Sequence, residues 1–212
     1  MSKVWENLLT VLALVYLAAF SYPAFVSEIS VADLNKLELV QWATWIIFAL
    51  DLIMGLWKAP NRKRYLKTHP LEIVSVVLPF LRPLRLLRVI SFGALVIQKI
   101  AVGKQIAITL KVFLFSILIA YIAAVQITIT EREVANSNIK SFGDGLWWAV
   151  TTVTTVGYGD RFPTTSVGRV IAVGLMLVGI SLMGVVTASV AAWFVKMSQE
   201  DPEKQLESPH GS

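Results

Sequence analysis

Threonine, glycine and tyrosine crowd into TTVTTVGYGD, residues 151–160 of a chain that is otherwise largely apolar. Glycine takes positive φ as readily as negative, so Gly157 and Gly159, alternating with Val156 and Tyr158, let successive peptide planes flip and turn their carbonyls to one side. A backbone with its carbonyls aimed one way can be neither a helix nor a strand edge exposed to lipid. It is tolerated only where it lines an aqueous cavity. Oxygens gathered in that way call for a cation, and the Thr155 hydroxyl would join them at one end.

A second chemical pattern lies in LPFLRPLRLLRVI, where Arg82, Arg85 and Arg88 recur at every third residue. On an α-helix such a series turns by about 60° per step and draws a slow spiral, whereas on a 3₁₀-helix it forms one row. Pro83 suits a first helical turn, which starts this helix at about Arg82. Each arginine placed in the membrane field would feel about 2.3 kcal/mol per 100 mV, so the stripe fits a voltage sensor. It also fits a basic amphipathic helix lying on the inner leaflet. Ser91, Ala94 and Ile97 occupy the next positions at the same spacing, which limits the mobile charge. A moving arginine needs an acidic partner. Asp51, with Phe48 one turn before it, and Glu72 are the candidate countercharges. The alternatives are an Asp51 satisfied within its own helix and a Glu72 favoured by a helix-start dipole.

The elements that must hold these groups follow from composition. With 56% hydrophobic and 16% charged residues and a mean hydropathy of +0.67, the chain reads as an all-α integral membrane protein. Nothing in its 212 residues leaves room for a sizeable soluble domain, and the absence of cysteine removes disulfide and thiol chemistry. The closing LESPHGS resembles an appended tag and is set aside. Apolar stretches run near 4–25, 37–57, 71–81, 84–97, 106–129 and 167–195, with a shorter, tryptophan-containing run at 142–156. The short run is expected to enter and leave by one face. Lys58, Arg62, Lys63, Arg64 and Lys67 form one basic cluster and Lys99, Lys104 and Lys111 another, so both are expected inside, together with both termini, in a multi-pass protein of the cell membrane. The interval 69–98 must then cross an even number of times, either as two short helices flanked by water-filled crevices or not at all.

SFGDGLWWAVTTVTTVGYGD resembles the pore region of voltage-gated potassium channels, and the whole chain is similar to a compact prokaryotic member of that six-segment family. TVGYG is the sequence whose carbonyl rings, four chains around one axis, replace the hydration shell of potassium in such channels. The resemblance implies a four-helix voltage-sensor bundle over 1–91, an interfacial linker helix over 92–105, and a two-helix pore domain with a re-entrant pore helix and filter over 106–197. A short polar tail over 198–212 would follow, and the assembly would be a homotetramer. It implies potassium bound at Thr155, Val156, Gly157 and Tyr158, with Gly159 completing the filter. Trp147 and Trp148 would form an aromatic cuff, Trp147 donating to Asp160, with Trp148 and Thr152 bracing the Tyr158 hydroxyl. Glu131 resembles the family's acid that clamps the outer mouth, and Gly179 falls at its hinge position.

Gly179 is read equally well as a small residue admitting a neighbouring helix. No Pro-x-Pro bend follows it, so the helices would close on Val186, Ser189 or Val190. Phe162, repeated around a fourfold mouth, would offer a cation–π site for an external quaternary ammonium blocker. The expected function is a potassium-selective channel gated by voltage. The alternative keeps the pore and makes the arginine helix inert, with conduction constitutive or set by anionic lipids. Inverted repeats that would indicate a secondary transporter are missing, as are nucleophile, phosphate-loop and metal-ligand motifs that would indicate an enzyme. No cofactor, nucleic acid or obligatory soluble ligand is expected; membrane lipids are the expected surroundings.

Overall fold

The computed structural model describes residues 3–26, 28–62, 64–65 and 104–206. The proposed sensor arginines Arg82, Arg85 and Arg88, the acid Glu72 and the linker as far as residue 103 lie outside them.

The described residues are helical apart from short connections. They form α1 (Lys3–Phe25), α2 (Val31–Lys58), α3 (Lys104–Glu131), α4 (Phe142–Val153) and α5 (Ser166–Leu206). Among them, Val31–Lys58, Ala107–Glu131 and Ser166–Ser198 are long and apolar enough to cross a membrane, and Val11–Phe25 is a shorter apolar helix. A bilayer core is about 30 Å thick and takes about 20 helical residues, so α4, with 12, is too short to span it. Two expected boundaries move. Lys104 and Gln105, read as the end of the linker, already belong to α3, and α5 continues without a break through the supposed tail to Leu206. Lys, Glu and Gln in the tail are good helix formers, and the helix established by the apolar run continues through Pro202, although proline brings no N–H to that turn.

The main core lies where α3, α4 and α5 meet, around Ala120, Ala123, Ala124, Ile127, Trp148, Ala149, Val153, Ala172 and Leu175. Alanines on the inner face of α3 let the short helix come close, as small residues do between membrane helices. Gly145 on α4 completes the approach: a Cβ there would lie 2.7 Å from the Ala124 carbonyl oxygen and would also strike the Thr128 hydroxyl. Thr128 and Ser116 return their own hydroxyls to backbone carbonyls four residues earlier, at 2.7 and 3.0 Å, so neither of these two hydroxyls is left unpaired in the apolar interior.

A second cluster docks α1 on α3 through Tyr16, Phe20, Ala24, Ile122 and Val125. Tyr121 donates to the Ser21 hydroxyl across this seam at 2.8 Å. At its end, the Arg132 guanidinium donates to the carbonyls of Pro23 (2.8 Å), Ala24 (2.5 Å) and Val26 (2.9 Å). These are carbonyls left open at a helix C-terminus, where a cation is favoured by the helix dipole. A third, smaller cluster of Leu9, Ala13 and Phe48 joins α1 to α2.

Candidate functional site

The 142–160 segment is built from α4 outwards. Ser141 and Asp144 form a reciprocal capping box at its start, the Ser141 side chain accepting from the Asp144 N–H at 3.2 Å and Asp144 accepting from the Ser141 N–H at 3.0 Å. At its other end Thr155 N–H donates to the Thr152 carbonyl at 3.0 Å, and Val156 N–H to the Thr151 carbonyl at 2.9 Å. This pair of bonds defines a Schellman ending, whose left-handed residue is usually glycine. Here it is Thr155, with φ of 62°.

Left-handed φ recurs at Gly157 (55°) and Gly159 (77°), while Val156 and Tyr158 between them keep negative φ. The expected run of residues in alternating hands therefore begins one step earlier than the glycines alone suggested. A β-branched residue in this region costs about 1–2 kcal/mol. Two neighbouring donors, Val156 N–H and Gly157 N–H, converge on the Thr151 carbonyl at 2.9 and 3.0 Å and hold it there. Thr154 through Asp160 are all exposed in the single chain.

Trp147 donates its indole N–H to Asp160 Oδ2 at 2.8 Å. Its ring stacks on Tyr158, with centroids 5.6 Å apart and planes 4° from parallel. Trp148 points the other way, buried at 3% exposure among Ala149, Val153 and Leu175. The expected bracing of the Tyr158 hydroxyl by Trp148 and Thr152 is not made within one chain: consecutive residues lie about 100° apart on a helix, so Trp148 cannot share the face of Trp147. Trp147 is the residue that meets Tyr158.

Glu131, the last residue of α3, is fully buried and accepts four hydrogen bonds from the segment that begins α5. Thr164 donates its N–H (3.0 Å) and hydroxyl (2.5 Å), and Thr165 its N–H (2.9 Å) and hydroxyl (2.7 Å). A carboxylate can satisfy four donors at once, which makes it a clamp between the two long helices. Gly168 leaves it space: a Cβ there would sit 2.5 Å from Glu131 Oε1.

Gly179 is buried, and a Cβ on it would lie 2.6 Å from the Val153 carbonyl oxygen. Of the two readings of this glycine, close helix approach is the one with a visible contact. Ser189 donates to the Val185 carbonyl at 2.7 Å, and its hydroxyl oxygen lies 2.6 Å from the Thr109 hydroxyl of α3, within hydrogen-bond reach. Phe162 is half exposed beside the 155–160 run. In the N-terminal half, Asp51 Oδ1 accepts from the Trp5 indole at 2.7 Å, and Phe48 is buried in the α1–α2 cluster. Asp51 thus reaches across to α1, which neither sequence reading anticipated.

Sequence reasoning did not bring three residues together. Asn138, Arg161 and Asp144 gather behind the 155–160 run. Asn138 Nδ2 donates to the Asp160 carbonyl at 2.9 Å, its Oδ1 accepts from Phe162 N–H at 3.2 Å, and its own carbonyl accepts from Arg161 at 2.6 Å. Arg161 also pairs with Asp144 at 3.0 Å. Partial burial pushes the Asp144 carboxyl up, but the N–H of Lys140, the hydroxyl and N–H of Ser141, and the Arg161 charge outweigh it and hold the group below its ordinary value of 3.8.

Residues 108–196, most of α3 to α5, match the family model described as "Ion channel". The chain is similar to the voltage-gated potassium channel of Aeropyrum pernix, 48% identical over 80 residues that are 38% of this chain and 27% of that one. It is also similar to the calcium-gated potassium channel TvoK of Thermoplasma volcanium, 39% identical over 90 residues, 42% of this chain and 26% of the relative. The human voltage-gated potassium channel regulatory subunit KCNG2 matches at 30% over 179 residues, 82% of this chain and 37% of that one, and so reaches beyond the channel domain. The chain spans about a quarter of the length of the first two relatives. The resemblance to voltage-gated potassium channels, including a prokaryotic one, therefore holds, and the relatives bear the names of channels, not enzymes. With its apolar spanning helices, the chain is a multi-pass membrane protein.

Proposed function

We propose that this chain is the subunit of a homotetrameric, potassium-selective channel of the cell membrane, gated by voltage. Potassium would bind on the backbone oxygens of Thr155, Val156, Gly157 and Tyr158, with Gly159 turning the chain outwards. The observation that carries this reading is the alternation of left-handed φ at Thr155, Gly157 and Gly159 in an exposed segment, because that alternation sends successive carbonyls to one side. An unshielded oxygen row needs a cation to pair with, and three further copies around an axis would complete the ring of oxygens that coordinates it. The carboxyl end of α4 leads into this run, and its partial negative charge favours a cation beyond it.

In this assembly α4 is the re-entrant pore helix, Glu131 clamps the outer mouth, and Phe162 rings it as the quaternary ammonium site. Arg82, Arg85 and Arg88 carry the sensing charge, and both termini face the cytoplasm. Ser189 is turned towards Thr109, which leaves Val186 and Val190 as the residues that close the inner end. A second reading, the same pore with an inert or lipid-controlled sensor, draws support from the Trp5 bond to Asp51, which gives the proposed countercharge a partner on α1.

Purified protein in a planar bilayer, with potassium on one side and sodium on the other, tests both. Reversal near the potassium potential and an open probability that changes steeply with voltage support the first reading. Reversal near the potassium potential without voltage dependence supports the second. Equal passage of both ions removes potassium selectivity altogether.

A further inference from the structure

We propose that Asn138 and Arg161 are positioning residues that hold the segment leaving the filter, and so set how faithfully the filter selects. This rests on the potassium-channel reading of the 155–159 run. Trp147 secures only the side chain of Asp160. The main chain after it is secured by something else. The Asn138 amide takes the Asp160 carbonyl at 2.9 Å and the Phe162 N–H at 3.2 Å, flanking Arg161 as a neighbouring strand would. Arg161 in turn closes on the Asn138 carbonyl at 2.6 Å and on Asp144 at 3.0 Å.

Asp144 and Trp147 lie one helical turn apart and so share a face of α4. One face of a short, rigid helix thus grips two consecutive residues, Asp160 through its carboxylate and Arg161 through its guanidinium. Asn138 adds the backbone between them. Its own carbonyl is part of the same ring, so no member can leave without freeing another. Loosening this ring lets Gly159 and Tyr158 relax, and a carbonyl row with freedom to contract no longer penalises a smaller ion.

The experiment uses the full chain in planar bilayers and measures the permeability ratio of potassium to sodium from reversal potentials. Asn138→Ala, which removes two neutral bonds, and Arg161→Gln, which removes a charge-assisted one, are each expected to lower that ratio about tenfold in a held-versus-released equilibrium. The double variant is expected to match the worse single one, since both break one ring. Arg161→Lys, which keeps the charge opposite Asp144, is expected to recover part of the loss. Ratios unchanged in assembled Asn138→Ala and Arg161→Gln tetramers would overturn the proposal, and so would losses that simply add. If Asn138→Ala does not assemble, Arg161→Gln alone decides, because its side chain is partly exposed and its removal leaves no cavity. Wild-type protein that fails to distinguish the two ions would instead defeat the channel reading on which the inference stands.

Discussion

Replacing Gly179 by alanine separates two roles for this glycine with one methyl group. A Cβ at 179 would stand 2.6 Å from the Val153 carbonyl oxygen and 3.2 Å from the Val153 carbonyl carbon and Cα. The first distance falls about 0.8 Å short of ordinary contact at 3.4 Å. No rotamer relieves it, because the obstacle is the main chain of α4, held in place by the bonds converging on the Thr151 carbonyl. α5 must therefore shift, at a cost of about 1–3 kcal/mol for overpacking. Alanine returns about 1 kcal/mol through its better helix propensity. The net expectation is a destabilisation of about 0–2 kcal/mol, together with altered ion selectivity, since the displaced Val153 leads directly into Thr155. Unfolding in mixed micelles titrated with SDS, followed by tryptophan fluorescence, measures the first effect. Gly174→Ala is the control: its Cβ would meet nothing within 4 Å in the chain, so the propensity gain of about 1 kcal/mol stands alone. Gly179→Ala stabilised, like Gly174→Ala, by about 1 kcal/mol, with only the open probability changed, would refute close approach and establish the hinge.

Glu131→Gln should destabilise the pore domain by about 1–2 kcal/mol in the same titration, because the three donors on Oε1 lose a charged acceptor and the amide N–H₂ replaces the oxygen that takes the Thr164 hydroxyl. Arg132→Met should release the end of α1 while sparing the α3–α5 core, so hydrogen exchange of residues 20–26 should quicken and that of 120–128 should not. For Asp144 the sign follows from a carboxyl held below its ordinary 3.8: its contribution is complete above that value and disappears as the pH falls through the still lower folded-state value. Selectivity should accordingly be flat from neutral pH down to about 5, and acid-induced loss should move to higher pH in Arg161→Gln, where one source of the depression is gone.

The composition and the hydrophobic runs determined a membrane-embedded helical protein, because backbone groups in lipid must bond within their own segment. Local chemistry also went far at the 151–160 stretch. Glycine alternation dictated left-handed φ at Gly157 and Gly159, and Ser141 with Asp144 three residues later wrote the start of α4 into adjacent positions. What no reading of adjacent residues could supply was pairing across distance. Thr155 takes a glycine-like conformation because two donors beyond it bond back to Thr151. Trp147 rather than Trp148 meets Tyr158 because the burial of α4 against α3 and α5 rotates one ring inwards and the other out. Asn138 meets Asp160 across 22 residues, and Arg132 meets Pro23 across 109. These contacts depend on how helix faces close on one another, and such packing is settled by the whole set of side-chain volumes at once, so only the assembled structure decides it.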